Sequence, residues 1–119
     1  MKAVIEVNRR GSVFDTAAEQ IAAARAGGEV DYRLGFESAR ALFSDVTPER
    51  LEILDTLRRV GRCRAEALAG QLPVPRDSDA LTEDIARLEA LGLLERAQDQ
   101  VLSVPFESIE IRLLLARVA

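Results

Sequence analysis

Residues 47–104, TPERLEILDTLRRVGRCRAEALAGQLPVPRDSDALTEDIARLEALGLLERAQDQVLSV, decide the fold of this chain. Thr47 can cap a helix through its hydroxyl, and Pro48 suits a first helical turn because that turn needs no amide donor. Gly61 is a natural end for the same helix. Between these limits apolar residues recur at helical spacing: Leu51, Leu54, Leu57 and Val60. The sequence therefore predicts a first helix between Pro48 and Gly61.

Two more helices are predicted downstream. A short, alanine-rich second helix covers residues 64–72, and the prolines at 73 and 75 force extended geometry that marks a turn. Ser78 or Asp79 can cap a third helix. This helix carries an apolar stripe and a glycine stop, formed by Leu81, Ile85, Leu88, Leu91 and Gly92.

A β-hairpin follows the third helix. Residues 93–96 and 101–104 have strand character, and the polar segment 97–100 lies between them as a tip. The order helix, helix, turn, helix and hairpin is the layout of a winged helix-turn-helix. In that layout the third helix lies in the DNA major groove, and the wing reaches the adjacent backbone or minor groove.

The flanking segments contain strands. Residues 1–46 predict an arm with a strand at Ala3–Val7, a turn at 8–12, a helix from Asp15 or Thr16 to Ala26, a strand within 30–36 and a short helix at 39–43 capped by Ser38. This arm is βαβ-like, and the pattern leaves open whether its two strands pair.

The segment 105–119 begins with Pro105, which ends the hairpin, and continues as an alternating apolar strand around Ile109, Ile111 and Leu113. It is too apolar to extend freely into water. We expect it to pair with the N-terminal strand or with its counterpart in a second subunit, and we expect a homodimer. The predicted class is α+β, mainly helical, with a winged helix-turn-helix at 47–104.

Composition restricts the function. The 119 residues contain one cysteine and no histidine, which excludes an intrachain disulfide and makes a metal site or a catalytic imidazole improbable. We expect no cofactor, no metal and no catalytic residues, because the carboxylates fall on predicted solvated helix faces. No apolar run approaches the roughly 18 residues of a membrane span. Glu6 interrupts the only candidate signal core, and we therefore expect a cytoplasmic protein.

The net charge of -4 argues against a surface that attracts nucleic acid everywhere. A local basic cluster lies around the first interhelix turn: Arg58, Arg59, Arg62 and Arg64. These side chains can clamp a phosphate beside the start of the second helix. Alternatively, they pair in solvent with nearby acids: Glu49, Glu52, Asp55 and Glu66.

The third helix is acidic, which conflicts with its expected place in a groove lined by phosphates. Residues 77–89 contain five acids and Arg87 as the one base. Candidate DNA contacts in and beside this helix are Arg76, Ser78, Asp79 and Thr82, and those of the wing are Arg96, Gln98 and Gln100. The alternative function is a protein-binding module whose acids meet a basic partner: Asp77, Asp79, Glu83 and Asp84.

Several stretches resemble a family of small prokaryotic predicted transcriptional regulators with a MarR-like winged helix, which includes antitoxin-like members. They are Phe36-Glu37-Ser38, Leu42-Phe43, Val46-Thr47-Pro48-Glu49-Arg50, Leu54, Leu68-Ala69, residues 84–95, Val104-Pro105 and Ile109-Glu110-Ile111.

The resemblance spans residues 36–113. It implies a regulator that binds operator DNA and, more narrowly, an antitoxin that represses its own transcription and binds a toxin. Arg76-Asp77 matches the family, whereas the next residues are acidic or small where the family is basic and aromatic. The resemblance therefore implies a DNA contact for Arg76. Ser78, Asp79 and Thr82 occupy positions that contact DNA in the family, but their residue types differ from those of the family.

Cys63 lies between Arg62 and Arg64 near a helix start. Flanking positive charge stabilises a thiolate, as in a redox-sensing cysteine. The alternative is a small apolar side chain that fills space at the start of the second helix.

Overall fold

The structure, a computed structural model, describes residues 1–7 and 31–115. The chain divides into two compact units, Met1–Asp45 with Ser108–Ala119, and Val46–Glu107. The described residues form four helices and five strands, so the α+β class is confirmed. The predicted turn at 8–12 and the helix from Asp15 or Thr16 to Ala26 lie outside the described residues. No helix among the described residues is long and apolar enough to cross a membrane.

The first unit is built on a parallel sheet of three strands in the order β2-β1-β5. These strands are β1 (Ala3–Val7), β2 (Tyr32–Phe36) and β5 (Ile109–Leu113). Ile5 at the centre of β1 lies opposite Leu34 of β2 and Ile111 of β5. The two strands of the arm therefore pair, and the C-terminal segment adds to the N-terminal strand.

The central strand β1 is well buried: Ala3, Val4 and Ile5 are all fully buried. In the parallel register Val4 lies between Arg33 of β2 and Glu110 of β5, so it is enclosed on a face that carries charged side chains. Val4, which breaks the simple alternation in the sequence, is thus explained by its burial on that face.

A ladder of charged side chains crosses the sheet. Arg33 of β2 contacts Glu6 of β1 at 2.8 Å, and Glu6 also lies 3.6 Å from Arg112 of β5. Arg112 in turn contacts Glu110 at 3.0 Å, and Glu110 accepts from Lys2 Nζ at 3.1 Å. Opposite charges therefore alternate across all three strands.

A short helix, α1 (Ala39–Asp45), follows β2 and packs against it. The hydroxyl of Ser38 accepts a hydrogen bond from the amide of Ala41 at 3.1 Å, which satisfies a free donor of the first turn. Leu42 is buried, whereas Phe43 is exposed. The predicted cap and start of this helix are confirmed.

The second unit contains the three helices that the sequence predicts. These are α2 (Pro48–Val60), α3 (Ala65–Gln71) and α4 (Ser78–Ala90). The amide of Arg50 donates to the hydroxyl of Thr47 at 3.2 Å. Gly61 ends α2 at a φ of 85°, a left-handed conformation that favours glycine. The predicted limits of α2 are confirmed.

The cap of α4 differs from the prediction. Asp77, rather than Ser78 or Asp79, accepts a hydrogen bond from the amide of Ala80, at 3.4 Å. Asp77 has the extended backbone of an N-cap residue, with a ψ of 142°, and Ser78 is already helical. An aspartate and a serine in sequence both satisfy the cap preference, so local pattern could not separate them.

The hairpin consists of β3 (Glu95–Arg96) and β4 (Leu102–Ser103), which pair antiparallel and are shorter than predicted. The amide of Gln100 donates to Ala97 O at 2.9 Å, and the amide of Ala97 donates to Val101 O at 3.0 Å. Gln100 has a φ of 69°. This is the geometry of a type I turn followed by a left-handed bulge residue.

Cys63 adds a third extended segment to this hairpin. Its amide donates to Leu102 O at 3.2 Å, and the Leu102 amide donates to Cys63 O at 2.8 Å. The link between α2 and α3 is therefore paired to β4.

The apolar side chains of the second unit form its core. The predicted stripe of α4 is buried as expected, whereas Val60 at the end of α2 is exposed. The buried apolar residues of this unit are Val46, Ile53, Leu54, Leu57, Leu68, Leu81, Ile85, Leu88, Leu91, Leu93, Leu94, Leu102, Val104 and Phe106.

Candidate functional site

The basic cluster occupies one turn of the second unit. Arg58 and Arg59 belong to the last turn of α2, and Arg62 and Arg64 follow Gly61 in the link to α3. All four side chains are exposed. Within the described ranges 1–7 and 31–115 none of the four makes an ion pair or a side-chain hydrogen bond. The pairing with nearby acids that the sequence allowed is not formed, and the four positive charges face solvent.

A small cleft lies beside these arginines. It has a volume of about 80 Å³ and is lined by Leu57, Arg58, Gly61, Arg62, Ser103 and Val104. Pockets for small-molecule ligands are usually about 300–1,000 Å³. The cleft is therefore too small for a typical effector. It leaves room beside two guanidinium groups for a single small group or a few water molecules.

Asp84 is the centre of a buried ion-pair node. Its carboxylate is 7% exposed and accepts at both oxygens, Oδ1 from Arg50 Nε at 2.9 Å and Oδ2 from Arg76 Nε at 3.2 Å. A second nitrogen of Arg76 also donates to Oδ2. The hydrogen bond to Asp84 raises the pKa of the Arg76 guanidinium above its ordinary value. The node ties α2, the turn before α4 and α4 together.

This node corrects the prediction for Asp84 and shows the surroundings of Arg76. Asp84 is not part of an exposed acidic surface, because its carboxylate is enclosed and bonded to two arginines. The guanidinium of Arg76, the DNA contact that the sequence favours, pairs with Asp84, and the Arg76 side chain is 29% exposed. This pair joins the segment before α4 to the helix. The sequence did contain a signal for Asp84, which lies next to Ile85 on the apolar stripe of α4.

Other acids of α4 also have partners within the unit. Asp77 caps the helix, and the carboxylate of Glu89 accepts from Arg96 Nε at 3.0 Å and from Arg96 Nη2 at 2.8 Å. Asp79 and Glu83 are exposed, and neither makes an ion pair within the described part of the chain. Asp79 and Glu83 thus lack a partner within the described unit, whereas Asp77 keeps an exposed charge at the helix cap.

The remaining polar candidates of α4 and the wing are mostly engaged. The hydroxyl of Thr82 donates to Ser78 O at 2.9 Å. Arg96 donates to Gln100 Oε1 at 3.0 Å in addition to its pair with Glu89. Gln98 is exposed at the tip of the hairpin. Ser78, Thr82 and Gln98 thus offer hydrogen-bonding groups at the surface, whereas Arg96 and Gln100 hold the hairpin against the end of α4.

Cys63 does not have the environment of an activated thiol. The side chain is half-buried, and its burial raises the pKa of the thiol above its ordinary value. A redox-sensing cysteine requires a lowered pKa, since the thiolate is the reactive form. The side chains of Arg62 and Arg64 are exposed to solvent, and the raised pKa of the thiol favours the alternative of a space-filling side chain. The residues that the structure describes include no group of three or more potential metal ligands.

Comparison with known proteins gives a family. Residues 45–111 match the model of the uncharacterised HVO_A0114 family, and this match covers more than half of the chain. The chain therefore belongs to the HVO_A0114 family. No curated protein and no solved structure matches it.

Proposed function

We propose that the Val46–Glu107 unit is a winged helix-turn-helix that binds double-stranded DNA in a transcriptional regulator. The order α2, α3, α4 and hairpin agrees with that architecture. The bridge between Cys63 and Leu102 supports it further, because it adds an extended segment between the first two helices to the sheet of the wing. In this assignment α4 takes the place of the recognition helix.

The observation that carries the proposal is the unpaired basic turn. Arg58, Arg59, Arg62 and Arg64 are exposed and lack acidic partners in the described chain. Most of the affinity of a protein for DNA comes from neutralising phosphates, and such contacts set the orientation on the duplex. Four free guanidinium groups on one turn suit this task better than any other surface of the unit.

The acidity of α4 is compatible with the proposal. Three of its five acids are used inside the unit, by the helix cap at Asp77 and by ion pairs at Asp84 and Glu89. Asp84 and Glu89 are neutralised by ion pairs, so the acids that present charge to a phosphate-lined groove are Asp79, Glu83 and the exposed Asp77. Base contacts from α4 should therefore be few and come from Ser78 and Thr82. Asp79 should contribute little to the affinity for DNA. A regulator of this kind would act in the cytoplasm. In the narrower form of this proposal, the protein is an antitoxin that represses its own transcription.

The test is a salt titration of DNA binding. The purified chain is titrated with a duplex from its own upstream region, from low to moderate salt. Each arginine that neutralises a phosphate contributes about 0.9 to the slope of log affinity against log salt. Alanine at Arg62 or Arg64 should weaken binding and reduce that slope, whereas alanine at Arg40, an exposed arginine of α1, serves as the matched control.

Two results would contradict the proposal. One is the absence of any retention at low salt. The other is a chain carrying Arg58→Ala, Arg59→Ala, Arg62→Ala and Arg64→Ala that binds with unchanged affinity and slope. The Arg40→Ala chain is the control for the single variants Arg62→Ala and Arg64→Ala, because it loses the same charge from a helix outside the second unit.

A second function is favoured by Asp79 and Glu83. These two exposed, unpaired acids lie one turn apart on α4 and could meet a basic protein such as a toxin. Replacing both with lysine distinguishes the two functions. The lysines strengthen DNA binding if α4 faces phosphates. They abolish association with the product of an adjacent gene if α4 faces a basic protein.

A further inference from the structure

The strand β5 leaves an apolar edge on the first unit. Among the described residues it is an outer strand of the sheet, paired with β1 on one side. Ile111 is 39% exposed and Leu113 is 52% exposed, although both lie within the strand. The other outer strand, β2, has α1 packed against it. An open edge with exposed apolar side chains is a template for pairing with another strand.

The backbone of β5 decides which residues can pair outward. The amide of Ala3 donates to Ser108 O at 3.0 Å, which directs the Ser108 carbonyl toward β1. Because the groups of a strand alternate in direction, Glu110 and Arg112 also bond toward β1. Ile109, Ile111 and Leu113 therefore direct their amides and carbonyls away from the sheet.

This alternation restricts an antiparallel pairing of β5 with itself. In such a pair the outward-facing residues must lie opposite one another and exchange both hydrogen bonds. A twofold axis at Ile111 satisfies this condition, since Ile109 then faces Leu113 of a second copy and Ile111 faces itself. Axes at Ile109 or Leu113 shorten the paired region. An axis at Glu110 or Arg112 also satisfies the condition, but it places two like charges opposite each other, which is destabilising.

The charges of β5 fit the same axis. With Ile111 at the centre, Glu110 lies opposite Arg112 of the second copy, and Arg112 lies opposite Glu110. These are the closely spaced pairs of an antiparallel ladder, in which side chains approach most closely. The strand IEIRL is thus complementary to its own reverse in both charge and apolar pattern.

We infer that β5 pairs with β5 of a second copy, antiparallel and centred on Ile111, so that two three-stranded sheets join into one. The interface is isologous, as expected for a twofold dimer. The inference goes beyond DNA binding and does not depend on it, because every residue it uses belongs to the first unit.

A cysteine trap tests the register. The trap is a chain that carries Cys63→Ser and Ile111→Cys. In the proposed dimer the Cα atoms of the two introduced cysteines, one from each copy, lie about 5.5 Å apart, which is within the range of a disulfide. The control carries Cys63→Ser and Leu115→Cys at a residue that is 81% exposed. In the proposed register the control positions lie eight residues apart along the strands, about 27 Å.

Light scattering on the unmodified chain should give twice the 13.0 kDa mass of one copy. Under mild oxidation the Ile111→Cys chain should become a covalent dimer, and the more exposed Leu115→Cys chain should not. A monomeric mass, or crosslinking at Leu115 without crosslinking at Ile111, overturns the inference.

A mixing experiment tests the charge pairs. Glu110→Arg and Arg112→Glu each place like charges opposite one another in the homodimer, and each should raise the dimer Kd about tenfold. In the mixed dimer the arginine introduced at position 110 faces the glutamate introduced at position 112, and affinity should return. Failure of the mixture to recover overturns the register. Circular dichroism of each variant checks that it folds. If a charge variant does not fold, the cysteine trap still tests the register.

A lipid surface is the other possible occupant of this edge, and sedimentation with vesicles tests for it. A monomeric chain that sediments with phosphatidylcholine vesicles, and loses this property with Ile111→Asp, would assign the exposed apolar side chains to a lipid surface and overturn the inference.

Discussion

Replacing Asp84 with asparagine removes a negative charge from the interior of the Val46–Glu107 unit while keeping the shape of the side chain. Both carboxylate oxygens accept from guanidinium groups, Oδ1 from Arg50 and Oδ2 from Arg76. An asparagine amide offers one oxygen and one NH2 group. One of the two arginines therefore meets a donor where it had an acceptor, and both lose the charge that they neutralise.

The magnitude follows from the burial of the Asp84–Arg50 contact. Removing one partner of a buried ion pair costs about 3–5 kcal/mol. A hydrogen bond to a charged group contributes about 1.5–3 kcal/mol. The Arg50 side chain is 12% exposed, so water screens part of this pair. We expect Asp84→Asn to lower the free energy of unfolding by about 3 kcal/mol. With a urea dependence of about 2 kcal/mol per molar, the midpoint falls by about 1.5 M.

Urea denaturation followed by far-UV circular dichroism measures this loss. Glu83→Gln is the matched control, because it removes the same charge from the neighbouring, exposed and unpaired position of α4. Arg76→Ala should have a smaller effect than Asp84→Asn, since the Arg76 side chain is 29% exposed. A midpoint for Asp84→Asn equal to that of Glu83→Gln would refute the assignment of Asp84 as the centre of a stabilising node.

Three further outcomes follow from single residues. Gln100→Gly should be about 1 kcal/mol more stable than Gln100→Ala in urea denaturation, because a Cβ is strained at a φ of 69° and glycine is not; equal stabilities would contradict this conformation. Cys63 should react with a thiol reagent at neutral pH more slowly in the folded chain than in urea, because burial raises the pKa of the thiol. Hydrogen bonds from Lys2 and Arg112 lower the pKa of Glu110, so its stabilising contribution is present above the ordinary glutamate pKa and is lost as pH falls through the lowered value. The stability difference between the unmodified chain and Glu110→Gln should therefore disappear in acid, and a difference that persists there would exclude the ion pairs as its source.

The helices of the second unit were predictable because their limits are written in adjacent residues. Thr47 and Pro48 start α2 and Gly61 ends it, and each acts through a bond or backbone angle within its own turn. The one-residue error at α4 arose where Asp77 and Ser78 both satisfy the cap preference. Such errors are local and leave the order of the elements unchanged.

The pairings that join distant parts of the chain were less accessible. Arg50 and Asp84 are 34 residues apart, and no periodic pattern relates them. The parallel register of Ala3–Val7 with β2 and β5 likewise depends on contacts between remote segments. Cys63 was interpreted from its sequence neighbours, although its conformation is set by Leu102. Local pattern predicts elements, whereas the partners of a buried charge depend on the packing of those elements.

The ion-pair node changes how the charge of the proposed DNA-binding surface should be counted. Sequence assigns five acids to residues 77–89, and summing them predicts repulsion from phosphates. Burial and pairing remove Asp84 and Glu89 from that sum, whereas Asp77 keeps its charge at the helix N-terminus, where that charge is favourable. The helix α4 then keeps three acids without an ion pair, and the end of α2 and the link to α3 carry four unpaired arginines. A surface with this balance should hold the DNA backbone through the turn and read few bases through α4, so the Arg62→Ala and Arg64→Ala chains should weaken binding to specific and unrelated duplexes alike.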